Sequence, residues 1–117
     1  NWGIPPFPQF GDLNKASEGV PAEACKILMS HDPSHFDAVV KKHPVDVQLT
    51  MSGHTHGMQF GIDLKNFKWS PVKFKYPKWA DLYESEGKYL YVNRGFGVIG
   101  YPGRVGVLPE ITVFELS

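Results

Sequence analysis

A single cysteine, Cys25, is all the thiol chemistry in these 117 residues, so no internal disulfide framework braces the fold. No apolar run approaches the ~20 residues that a membrane-spanning helix requires, and no secretory leader pattern opens the chain. Net charge is absent as well. Twelve lysines and arginines balance twelve aspartates and glutamates, which leaves no global field to favour nucleic acid or acidic partners. There is no internal repeat and no low-complexity linker. The opening Asn1-Trp2-Gly3 lacks an initiator methionine and reads as a cut from something longer.

What is present suffices for a core. Hydrophobic residues make up 42% of the chain, 14% of it aromatic. That composition argues against wholesale disorder and for one domain or less. A chain of this length buries roughly 65% of its unfolded surface. Prolines 5, 6, 8 and 21 rule out a regular helix at the start, so residues 1–11 read as irregular or extended. Asp12 is placed to cap a short turn over residues 13–17.

Residues 25–29 predict a first strand buried on both faces, with Cys25 in the core. Asp32-Pro33 is a helix start, with Asp32 at the N-cap and Pro33 at N1. That helix is expected to run to about Lys42 and to bury Phe36, Val39 and Val40, until Pro44 ends it. Residues 45–51 predict a second strand, and the resulting β-α-β unit favours parallel pairing. Short strands are expected over residues 59–63, 88–93 and 110–116, with a weak helix over 79–83. Gly95, Gly97, Gly100, Gly103 and Gly106 mark a turn-rich return.

Histidines fall where the two main strands end. Met51-Ser52-Gly53-His54-Thr55-His56-Gly57 sets two imidazoles two residues apart between glycines, and in extended chain such positions point the same way. A third, His31, lies in Leu28-Met29-Ser30-His31-Asp32-Pro33 after the first strand. Parallel strands release both motifs at one carboxyl edge, where ligand sites of open α/β sheets collect. Neutral imidazole is the commonest protein ligand for transition metals. A polar turn is the plainer account of His54 and His56. His35 and His43 are expected to be solvated, and Asp32 to act as a cap rather than a ligand.

Ser30-His31-Asp32-Pro33, Gly53-His54-Thr55-His56-Gly57, Tyr91-Val92-Asn93-Arg94-Gly95-Phe96-Gly97 and Pro109-Glu110-Ile111-Thr112-Val113, in that order, resemble the carboxy-terminal part of the calcineurin-like metallophosphoesterases. The nearest likeness is to a predicted phosphohydrolase branch that includes cell-envelope phosphodiesterases and lipid A precursor pyrophosphatases. The resemblance implies an α/β fold, the carboxy-terminal half of a four-layer αββα sandwich, with a mixed sheet and one or two helices. It implies two divalent transition metals, with His31 and His54 on one and His56 on the other. Nitrogen-rich sites suit manganese, iron or zinc over magnesium. It also implies a phosphorylated substrate, cleaved at a phosphomonoester, phosphodiester or pyrophosphate bond, and a cell-envelope or membrane-associated parent. Arg94 and Arg104 are candidates to contact phosphate, with a structural ion pair as the other reading of each.

The family's DxH, GDxxD and GNH motifs do not occur in these residues; Gly11-Asp12-Leu13-Asn14-Lys15 has lysine where the second needs its final aspartate. Three neutral imidazoles neither balance nor bridge two dications. The expectation is therefore a partial domain over residues 1–117, inactive alone, holding one metal or none, whose parent is an enzyme. Half a sandwich leaves a sheet face uncovered, so the isolated chain is expected to form homo-oligomers.

A second reading needs no enzyme. Residues 65–79 carry five lysines, five aromatics, two prolines and no acid. Such a segment suits a membrane surface or another partner of a non-enzymatic α/β module, with incidental histidines. It equally suits a covering loop whose aromatics pack on the sheet while its lysines stay wet.

Overall fold

The structure, a computed structural model, describes residues 11–117. The irregular start expected over residues 1–10 lies outside the described residues. Two short helices, α1 (Leu13–Ser17) and α2 (Ser34–Ala38), accompany six strands: β1 (Ile27–Met29), β2 (Leu49–Ser52), β3 (Ile62–Leu64), β4 (Phe67–Trp69), β5 (Asp81–Ser85) and β6 (Lys88–Val92). Strands β1, β2, β6 and β5 form a mixed sheet in that order, and β3 and β4 form a separate antiparallel hairpin. This is a small α/β fold, as the resemblance implied.

Parallel pairing of β1 with β2 follows the β-α-β expectation, and β6 adds to β2 in parallel on its other side. The Asp12 carboxylate accepts from Lys15 N and starts α1. Asp32 likewise accepts from Ser34 N at 2.8 Å, turning the chain into α2. Helix α2 is shorter than expected: it breaks at Val39 (φ −129°) and a 3₁₀ turn, Val40–Lys42, completes the segment. Leu13, Phe36 and Val40 from this layer pack on Val47, Leu90 and Val92, so both helices cover one face of the sheet.

Several expectations are corrected. Strand β1 is shorter and lies at the sheet edge; Ile27 and Met29 are exposed and Cys25 is exposed rather than core. Strand β2 starts at Leu49, not at 45. Gln59 belongs to a 3₁₀ turn, and β3 starts at Ile62. Strand β4 was not anticipated. Residues 79–83 form no helix but lead into β5, because Glu86 (φ 56°) and Gly87 (φ 76°) make a two-residue turn that folds β5 onto β6. Positive φ at both central residues matches the twist of a tight hairpin. Residues 110–116 are extended in pattern but form no strand. There Thr112 and Phe114 contact Tyr91 of β6 through side chains, and no backbone ladder partner is present among the described residues.

The second sheet face carries Ile27, Met29, Tyr89 and Leu82, all exposed. On the covered face, Phe36 is fully buried, and Lys78 Nζ sits 4.9 Å from its ring centre while pairing with the exposed Asp37. Removing that ring leaves a cavity as well as losing its transfer energy. Phe36→Ala is expected to lower unfolding free energy by about 3–5 kcal/mol in urea titration, and Asp37→Ala by less than about 1 kcal/mol.

Candidate metal centre

Beyond the paired region the β1–β2 ladder continues: Ser30 N donates to Met51 O at 2.9 Å and Gly53 N donates to His31 O at 3.2 Å. The two histidine motifs are thereby held side by side. The rings of His31 and His54 meet edge to face, 4.6 Å between centres. His54 Nε2 lies 2.9 Å from the Tyr76 hydroxyl. Arg104 is close enough to His56 for its positive charge to oppose a proton there. Its Nδ1 is buried without a hydrogen-bond partner among the described residues. Beside His31 a basin of about 480 Å³ opens between Met29, Met51, Tyr91, Asn93 and Phe114.

The loop that carries His54 and His56 is conformationally costly. His54 (φ 66°), His56 (φ 48°), Met58 (φ 50°) and Gln59 (φ 57°) are all left-handed without being glycine. Each such residue costs on the order of 1–3 kcal/mol and persists only where its surroundings fix it. Here they do. Thr55 Oγ1 donates to Trp79 O at 2.9 Å, and Ser70 Oγ donates to Gly57 O at 2.8 Å. Gln59, 1% exposed, donates through Nε2 to Tyr101 O (3.0 Å) and Gly103 O (2.6 Å) and accepts from Ile99 N. Gly57 (φ 59°) admits no side chain, since a Cβ there would stand 2.8 Å from Val107 Cγ1 and 3.2 Å from Trp79 Cζ3.

Burial lowers the pKa of His54, the neighbouring His31 lowers it further, and nearby Asp32 opposes the shift. Burial also lowers that of His56, helped by Arg104 and then His31. Both rings therefore sit below the ordinary 6.5 and are neutral at pH 7, the form in which imidazole ligates metal. As donors they fit a transition metal in kind. In number they do not complete a site: among the described residues no group of three or more His, Cys, Asp or Glu is placed to hold a metal ion.

The other expected residues divide. Arg94 Nε donates to Glu110 Oε2 at 2.7 Å; its guanidinium also pairs with Asp63 and lies 3.8 Å from Asp81. This geometry is the structural ion pair. Arg104 donates to Gly97 O (2.7 Å) and Arg94 O (2.9 Å), with Nη1 buried and unpartnered among the described residues, beside His56. His35 is buried rather than solvated, 2.8 Å from Ser30 Oγ through Nδ1, because its strand-to-helix corner closes over it. His43 is half-buried, with Nε2 at 2.8 Å from Asn14 Oδ1. Asp32 sits one residue before the N-cap, which is Pro33 rather than the expected Asp32; its carboxylate accepts from Ser34 N, and its charge also reaches His54 and Tyr76. Within residues 65–79, Tyr76 and Trp79 are buried, while Phe67 and Phe74 are exposed. Tyr76 and Gln59 were not singled out by sequence as parts of the site. An isolated amide after a glycine turn, or a tyrosine within a basic run, carries no distinguishing pattern.

Known proteins resemble this chain in sequence. The chain is 38% identical over 91 residues to an uncharacterized metallophosphoesterase, YkuE, of Bacillus subtilis, a span of 78% of this chain and 30% of that protein. It is 34% identical over 108 residues to a transmembrane protein with metallophosphoesterase domain of Bos taurus, covering 91% of this chain and 23% of the relative. It is 32% identical over 91 residues to phosphodiesterase YaeI of Escherichia coli, 78% of this chain and 32% of the relative. The chain belongs to the calcineurin-like metallophosphoesterases. It corresponds to the carboxy-terminal part of their domain and spans about a quarter to a third of the length of these relatives. No family model matches the chain, and no solved structure does.

The ion-pair cluster behind the site has a pH signature. Burial alone raises the Glu110 carboxyl, but hydrogen bonds from Thr112, Tyr91 and Arg94 more than offset this and hold it at about 2. Tyr91 is pushed up to about 12 by burial and by Glu110. A carboxylate depressed on folding stabilises the fold above its ordinary value of 4.5, and that contribution fades as pH falls toward about 2. In denaturant titrations, Glu110→Gln is expected to be less stable than the wild type at neutral pH. The gap should close between pH 4.5 and about 2.

Proposed function

We propose that this chain supplies the histidine-rich half of a dinuclear metal centre in a phosphohydrolase that cleaves phosphomonoester, phosphodiester or pyrophosphate bonds. The contact between His31 and His54 at the ends of two parallel strands carries this reading. His31, His54 and His56 would hold the ions, manganese, iron or zinc being the kinds their nitrogens suit. When bound, such a pair supplies Lewis acidity and a water acidic enough to ionise near neutral pH. Three neutral rings leave the charge of two dications uncompensated, so carboxylate ligands from elsewhere in a longer protein would complete the set.

The chain's own groups have defined work in this scheme. The lowered pKa of His54 and His56 keeps their lone pairs available at pH 7, without competition from protons. The left-handed loop, gripped by Ser70, Gln59 and Trp79, holds both rings without reorganisation. Arg104, whose charge reaches His56, would be the cation to meet a phosphate oxygen; Arg94 holds the glycine-rich return in place through Glu110 and Asp63.

The family assignment weighs against the non-enzymatic module, in which the histidines are incidental. The test is hydrolysis of an artificial phosphodiester with manganese by a protein of the relatives' length containing this chain. His54→Ala is expected to reduce turnover by about a hundredfold or more, the order of effect when several kcal/mol of charge stabilisation is lost. Unchanged turnover would remove the proposal.

A further inference from the structure

Resting on the reading of His54 as a ligand, we infer that Tyr76 is its positioning residue: His54 Nε2–H donates to the phenol oxygen, and Nδ1 is the nitrogen presented to the cation. The two atoms lie 2.9 Å apart, and the rings meet nearly perpendicular, 5.3 Å between centres at 80°. A phenol oxygen can donate or accept, so the contact admits two tautomers. Only one is compatible with a ligand. If the phenol donated to Nε2, the ring proton would sit on Nδ1 and neither nitrogen would keep a lone pair for a cation. With Nε2 protonated, the Nδ1 lone pair remains.

Tyr76 is built to impose that choice. It is 6% exposed and packs in a cluster with Val72, Trp79 and Ala80. Its backbone N–H donates to Val72 O at 2.8 Å, closing the 3₁₀ turn Pro71–Phe74. The same segment grips the histidine loop at two further points, through Ser70 to Gly57 and Thr55 to Trp79. The hydroxyl is therefore fixed relative to the loop it touches. An outer partner of this kind sets a ligand histidine's tautomer and ring orientation, and its loss typically costs 10–100-fold in metal affinity.

The experiment uses a ¹⁵N-histidine-labelled protein of the relatives' length containing this chain, at neutral pH. Long-range ¹H–¹⁵N spectra of the imidazoles read the tautomer of His54, and zinc titration reads affinity and the nitrogen that responds. Expected are a protonated Nε2, an Nδ1 resonance that shifts on zinc addition, and affinity weakened about 10–100-fold by Tyr76→Phe, which keeps the packed ring. A protonated Nδ1 in the zinc-free wild type, a response confined to Nε2, or equal affinity in Tyr76→Phe would overturn the inference. His54→Ala separates the two levels of the argument. If it leaves zinc affinity unchanged, the ligand role falls and this inference with it. If it weakens zinc binding while Tyr76→Phe does not, only the positioning role falls.

Discussion

Parallel pairing of β1 with β2, extended past Met29 and Ser52 by the Ser30–Met51 and Gly53–His31 hydrogen bonds, is what brings two distant imidazoles to one place. Side-chain chemistry alone could not do this, since His31 and His54 are separated by a whole crossover. Backbone ladder geometry fixes which end of each strand faces the site. β6 joins β2 in parallel, so Asn93 and Arg94 leave the sheet at the same edge. Asn93 N donates to Ser52 O at 2.8 Å, tying the glycine-rich return to the histidine loop.

That loop stores strain, and the rest of the fold is arranged to contain it. Four left-handed residues other than glycine lie within six positions, and two separate segments hold them. Ser70 and Trp79 hold the middle, Tyr76 meets His54, and Gln59 anchors the far end to the carbonyls of Tyr101 and Gly103. On the opposite side, Gly106 approaches the Gly61 carbonyl so closely that any Cβ would overlap it. The basic, aromatic segment 65–79 thus acts in part as a brace: its buried Ser70, Tyr76 and Trp79 are the ones that support the loop.

What the sequence made legible was local or periodic. The Asp12 cap, the Asp32 turn that leads into α2, the burial of Phe36 and Val40, and the parallel β1–β2 pair follow from signals read within a few residues. The edge position of β1 did not, because a short apolar run such as Ile27-Leu28-Met29 looks the same at the centre of a sheet and at its rim. The β5–β6 hairpin had a signal, Glu86-Gly87 between alternating segments, that the aromatic run at 79–83 obscured. Residues 110–116 have strand-like alternation, but a strand also needs a backbone partner, and composition cannot supply one. The histidines were visible as motifs. Their setting, through Tyr76, Gln59 and Asp32, depends on contacts across 20 or more positions and was not.

The central claim is that strand geometry gathers His31, His54 and His56 to grip cations, and crystals soaked in manganese or zinc test it most directly. Anomalous scattering at the metal edge should place density within ligand distance of ring nitrogens from His54 and at least one of its two partners. Density elsewhere only, or three imidazoles with no metal between them in a protein of the relatives' full length, would contradict it.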